Sequence, residues 1–158
     1  MKKLSFILLA FLAYACGGSK EQKEENSNQK AQTESSEDMF AVSDDQGVFF
    51  VNLEDGDVVT SPLKVEMGVK GMEVEPAGEA HKNKGHHHLL IDQDFTPAEQ
   101  VIPADSTHLH FGKGQVEAEI SLTPGPHKLT LQFANGLHQS YGEKMSKTIT
   151  VQVAGTEN

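Results

Sequence analysis

The sequence predicts an all-β domain over residues 47–154, an immunoglobulin-like or cupredoxin-like antiparallel β-sandwich. Three observations carry this expectation. From residue 47 onward apolar and polar residues alternate over short runs, the two-residue period that sends every second side chain to one face of a strand. Turn-forming residues stand between those runs at short intervals. No stretch shows the 3.6-residue period of a long amphipathic helix.

The runs follow one another along the chain. VFFVNL (48–53) is the first, closed by Glu54-Asp55-Gly56. In PLKVEMGVKG, Leu63, Val65, Met67 and Val69 point one way, while Lys64, Glu66 and Lys70 point the other. HHHLLID (86–92) is the third run, followed by a long 93–107 connection and the turn Gly112-Lys113-Gly114. QVEAEISL then places Val116, Ala118, Ile120 and Leu122 opposite Glu117 and Glu119. Pro124-Gly125-Pro126 and Asn135-Gly136 bracket HKLTLQF, where Leu129, Leu131 and Phe133 face away from Lys128, Thr130 and Gln132. KTITVQV closes the domain with Ile149, Val151 and Val153 against Thr148, Thr150 and Gln152. Clean alternation means antiparallel sheets with one wet face each, built from six strands or more.

The first residues carry a different signal. Lys2 and Lys3 precede the apolar run Leu4 to Ala13, which is signal-peptide length and too short to span a bilayer as a helix. Ala13-Tyr14-Ala15-Cys16-Gly17-Gly18 resembles a bacterial lipobox, although Tyr14 stands where a small residue is commoner. The resemblance implies a signal peptide over 1–16 and lipidation of Cys16. Residues 17–46 are rich in Lys, Glu, Gln, Asn and Ser, cannot offset their ordering entropy by burial, and are expected to form a disordered acidic tether. The expected location is the cell envelope, on the periplasmic side or outer surface of a bacterial membrane, with the lipid as the membrane contact.

The formal charge is −10, and all thirteen cations are Lys. No basic stripe offers itself to phosphates, so nucleic acid is excluded as a partner. Cys16 is the only cysteine, which rules out an internal disulfide and, once lipidated, a thiolate copper ligand.

All eight histidines lie between positions 81 and 138. On a strand, residues i and i+2 share a face, so His86 and His88 lie together and His87 turns the other way with Leu89 and Ile91. By the same rule His108 and His110 share a face while Leu109 and Phe111 enter the core. An i, i+2 pair can direct two imidazoles at one cation, and imidazole suits Zn, Cu, Ni and Fe. Should the two segments run side by side, His86, His88, His108 and His110 converge on one exposed patch, with His138 as an auxiliary ligand. The rival reading has these rings hydrogen-bonded to carbonyls and pinning the 93–107 connection. His127, in register with Leu129, is expected to be structural, and His81 to sit on a loop. Met67 alternates with core residues, whereas Met72 and Met145 are candidate soft donors to Cu(I).

No G-x-S-x-G elbow, H-E-x-x-H helix or phosphate loop is present, and no catalytic residue is assigned. A triad assembled from Ser140 with His138, or Asp92 with His88, rests on composition alone.

The strings VEMGVKGMEVEPAG (65–78), GHHHLLID (85–92), IPADSTHLHFGKGQ (102–115) and LTLQFANGLHQSYG (129–142) together resemble a bacterial envelope family known only as a domain of unknown function. That resemblance covers about residues 47–153. It implies that the three consecutive histidines, His108, His110, the Gly112–Gln115 turn and the stretch from His138 to Gly142 are the family's hallmark. It implies no activity. HLHFG also resembles the metal-binding strand of copper-zinc superoxide dismutases, but the disulfide cysteines and remaining ligand motifs of that family are missing.

The functional expectation is an envelope lipoprotein whose histidine-rich sandwich binds Cu or Zn without catalysis. The alternative is a metal-free module that recognises an envelope protein, peptide or glycan.

Overall fold

The computed structural model describes residues 36–155. The expected signal peptide, lipidated Cys16 and the tether as far as residue 35 lie outside the described residues.

The described residues fold as nine strands, with one short helical turn at Ser36–Met39 (α1) and one 3₁₀ turn at Glu143–Met145. A small sheet has the order β1-β3-β7, from Gly47–Phe50, Leu63–Lys70 and Glu117–Ile120. A larger sheet runs β2-β9-β8-β5-β4, from Val58–Val59, Ser146–Val153, Gly125–Ala134, Lys84–Ile91 and Glu73–Val74. The last strand, β6 (His108–His110), pairs with β5 off that path. The long pairings are antiparallel as expected, and the two-residue strands β2 and β4 pair parallel with β9 and β5.

Between the sheets lies one apolar core. β3 turns Leu63, Val65 and Met67 inward, β8 supplies Leu129, Leu131 and Phe133, and β9 supplies Ile149 and Val151. Met72 and Met145 belong to this cluster, so both serve packing rather than a soft-metal site. Val116 departs from its expected inward face: strand β7 begins after it, its side chain is exposed, and its carbonyl accepts from Met67 N–H at 2.8 Å.

The ordered chain starts before residue 46. Phe40 and Val42 pack against the core, with the Phe40 ring 5.7 Å from that of Tyr141. Gln46 donates to the Gly71 carbonyl at 2.8 Å.

The expectation of one wet face per sheet fails at β5 and β8. Residues 85–90 are buried without a break, and so are residues 129–134. The reason is the 93–107 connection, which lies over the outer face as a roof. Thr96 N–H donates to Gln132 Oε1 at 2.9 Å, and Gln132 Nε2 donates back to the Thr96 carbonyl at 2.7 Å. Ser140 Oγ donates to that same carbonyl at 2.8 Å, and Thr130 Oγ1 to the Gln93 carbonyl at 2.9 Å. Beneath the roof Leu90, Ile102 and Ala134 form a second, small apolar cluster. The outer face of the large sheet is therefore a polar interior, and most of the histidines lie there.

Candidate metal centre

Strand register brings the two histidine segments side by side. His88 lies opposite His110, and Leu90 opposite His108. On the other flank of β5, His86 pairs with Ala134 and His88 with Gln132. His86 and His88 thus point under the roof, and β6 adds His110 at their edge.

The fourth ring comes from the turn after β8. Asn135 organises that turn: its Oδ1 accepts from Leu137 N–H and Gln139 N–H, both at 3.0 Å, and its carbonyl accepts from His138 N–H at 2.9 Å. His138 itself sits at φ 65°, a left-handed conformation that L side chains rarely adopt. Its carbonyl is clamped by Ile102 N–H at 2.9 Å. The backbone is held in a sparsely populated region, and the result is a ring aimed at His86 and His110.

In the resulting cluster, Nε2 of His86 lies 3.1 Å from Nε2 of His88 and 3.2 Å from Nε2 of His110. Ring centroids of His86 and His138 are 5.2 Å apart, and those of His110 and His138 are 4.6 Å apart. One nitrogen from each of His86, His110 and His138 falls within 4.8 Å of the other two. His86 and His88 are fully buried, His138 is half-buried and His110 is exposed, so the group reaches from the interior to the surface. The expected exposed patch is in fact a partly buried pit.

Burial sets the charge state. It comes first in holding His86 down to about 4, with the nearby His110 and His138 rings adding to it. His88 is pushed further the same way, and His110 is lowered by burial and by His138. At neutral pH the deep rings are uncharged and carry a lone pair, the form in which imidazole ligates a metal. Nδ1 of His86 and Nδ1 of His88 are buried without a hydrogen-bond partner among the described residues. Packing, rather than the usual outer hydrogen bond, therefore holds those two rings.

His108 shares the face but is drawn away from the group. Its Nδ1 lies 2.9 Å from Asp105 Oδ1 and 3.1 Å from Thr107 Oγ1. Asp105 also accepts from the backbone N–H of Thr107 and of His108, and its carboxyl is held well below the ordinary carboxylate range, first by His108. The residues from Asp105 to His108 form a closed local turn, and His138, expected as auxiliary, is the ring that stands in the close set with His86 and His110.

The other histidines have separate duties. His87 turns inward as expected, 5.0 Å from the Phe133 ring, with both ring nitrogens unpartnered among the described residues. His127 bridges Asp92, at 2.9 Å through Nδ1, and the Thr123 carbonyl, at 2.9 Å through Nε2. This is the structural role foreseen for it, and it takes Asp92 out of any triad with His88. Ser140 is likewise committed, accepting from Gln132 Nε2 at 2.6 Å while donating to Thr96. His81 sits on an exposed loop, 3.0 Å from Glu75.

Gly112 was legible only as a turn residue, and it does more. A Cβ there would overlap Cε1 and Nε2 of His110, so the ring lies over bare backbone. Gly136 has a parallel role, since a Cβ on it would overlap the Glu79 carbonyl where the 78–80 loop closes on the His138 turn.

Fold and cluster together define a β-sandwich domain with a four-imidazole pit under a loop roof. The chain belongs to the family described as a domain of unknown function, DUF4399, whose model matches residues 65–154 and so takes in all four rings. No curated protein and no solved structure matches the chain.

Proposed function

We propose that this domain binds a transition-metal cation, Cu or Zn, through His86, His110 and His138 with His88 as the deepest imidazole, and that it does so as a lipid-anchored, non-catalytic envelope protein. One observation carries the reading: three Nε2 atoms meet with separations of 3.1 and 3.2 Å. A ring nitrogen has either one hydrogen or one lone pair, so Nε2 of His86 satisfies only one of its two neighbours. A cation removes that conflict, because all three nitrogens then direct lone pairs at it. Metal–nitrogen bonds of about 2.0–2.1 Å in a tetrahedron put neighbouring nitrogens about 3.3 Å apart, close to the spacing here.

Calorimetric titration of the purified chain with Zn(II) and Cu(II) tests the proposal. One equivalent bound below millimolar concentration, weakened in His110→Ala and unchanged in His81→Ala, supports it. Millimolar binding indifferent to His110→Ala ends it. Anchoring is tested separately, since Cys16→Ala is expected to release the chain from the membrane fraction.

A second reading has its own support. Val101 and Leu137 are 61% and 55% exposed, and they flank His138 through the Val101–Gln139 bridge. An apolar rim beside the pit suits a metal-free contact with an envelope protein, peptide or glycan. Capture of such a partner in the presence of chelator favours that reading.

A further inference from the structure

We infer that the cation held in this pit keeps one coordination position toward solvent, and that this position takes a small anion. The inference rests on the metal reading above and extends it to a second ligand class.

The arrangement of the rings comes first. His86, His110 and His138 form the mutually close set, and with His88 beneath them the imidazoles approach a cation from the inner side and the rim, which leaves an outward position of the kind that open sites fill by expanding their coordination. His88 does not close the outer side. It is buried, its Nε2 reaches the group beside His86, and its ring centroid is 6.1 Å from that of His138, the widest separation in the cluster. A cation that takes His88 takes it from below. His110 and His138 stand at the surface, so the unfilled side faces water.

Charge comes second. The set consists of neutral imidazoles, and among the described residues no carboxylate or thiol belongs to it. Of the acids on the adjoining loops, Asp105 is engaged by His108 at 2.9 Å and Glu75 by His81 at 3.0 Å, while the Glu79 side chain is turned out to solvent. A cation bound here therefore keeps its full charge in a partly dehydrated pit, where attraction for an anion is several times what it is in water. A site with neutral donors, one open face and no acid of its own draws the missing negative charge from solution or from a partner's carboxylate.

The test uses the purified chain loaded with Cu(II) and freed of excess metal. It is titrated with azide and, in parallel, with acetate, while absorption and bound copper are followed in the same samples. Expected is a new azide-to-copper charge-transfer band that saturates at millimolar azide with copper retained. A response to acetate as well marks a position wide enough for a side-chain carboxylate, and a response to azide alone marks one sized for a small inorganic anion. Retained copper with an unchanged spectrum in both titrations overturns the inference and leaves the metal reading standing. Copper stripped by azide also counts against it, since the anion then displaces imidazole instead of joining it. Failure to take up copper or zinc at all overturns both.

Discussion

Along β5 and β8, the face turned toward the small sheet carries Leu89, Leu129, Leu131 and Phe133, all fully buried. The face turned away carries His86, His88, Thr130, Gln132 and Ala134, buried just as completely. Equal burial hides unequal physics. The inner face is stabilised by the transfer of apolar surface from water, which is non-directional and tolerant of detail. The outer face relies on directed hydrogen bonds from the roof, and it leaves ring nitrogens of His86 and His88 with no partner among the described residues. Unsatisfied buried donors or acceptors are destabilising, and the inner face keeps two of its own at His87.

The comparison can be pressed hardest on the inner face. Phe133→Ala is expected to destabilise the chain by about 3–5 kcal/mol in chemical denaturation, while metal affinity of the folded population stays the same. A large loss of affinity in the folded protein would mean that the two faces are not separable.

His87 probes the boundary between them, being the one histidine on the inner face of β5. Burial lowers it from 6.5 to about 4. The unfolded chain therefore takes up a proton below the ordinary value, and the folded chain does so only near 4. Its contribution to stability is whole above about pH 6.5 and is lost as pH falls toward 4, on the order of 3 kcal/mol across that window. Denaturation of the metal-free chain at several pH values should show this fall added to those of His86 and His88, which burial lowers in the same direction, and His87→Leu should make the combined fall shallower.

On the outer face, Gly112→Ala leaves the sheets untouched and displaces the His110 ring. About a tenfold loss of metal affinity is expected, in the range seen when the support of a ligand is removed, with the melting temperature of the metal-free chain little changed. An unchanged affinity would show that His110 needs no such seat.

The smallest effect on stability, and the sharpest contrast with Phe133→Ala, is expected at His138. Replacement by Gly relieves the left-handed backbone at some entropic loss, so stability moves by no more than about 1 kcal/mol. Metal affinity falls all the same. Strong destabilisation would make His138 a structural residue.

Much of this was readable beforehand, for reasons tied to period. Alternation in HKLTLQF and KTITVQV identifies the inner face because a strand has only two sides. The same rule placed His86 with His88 and His87 opposite them. Depth was not readable: whether the second side meets water depends on where the 93–107 connection lies, and that is decided by Thr96, Gln132 and Ser140, residues far apart in sequence. His108 lies on the face that the period assigns it, but a local competition engages its ring. Asp105 lies three residues before it and captures its ring, a turn signal in ADSTH that the H-x-H pattern masked. The weight of His138 was hidden because its aim comes from a left-handed backbone that Asn135 and Ile102 enforce.

Thr96 is tied to β8 by side chains and not by a strand ladder. Amide protons along β8 should exchange with deuterium only when the whole domain melts, whereas those of the roof exchange through brief local opening. A tightly bound ion, gripping His138 and through it Ile102, should slow the second kind of exchange and leave the first as it was.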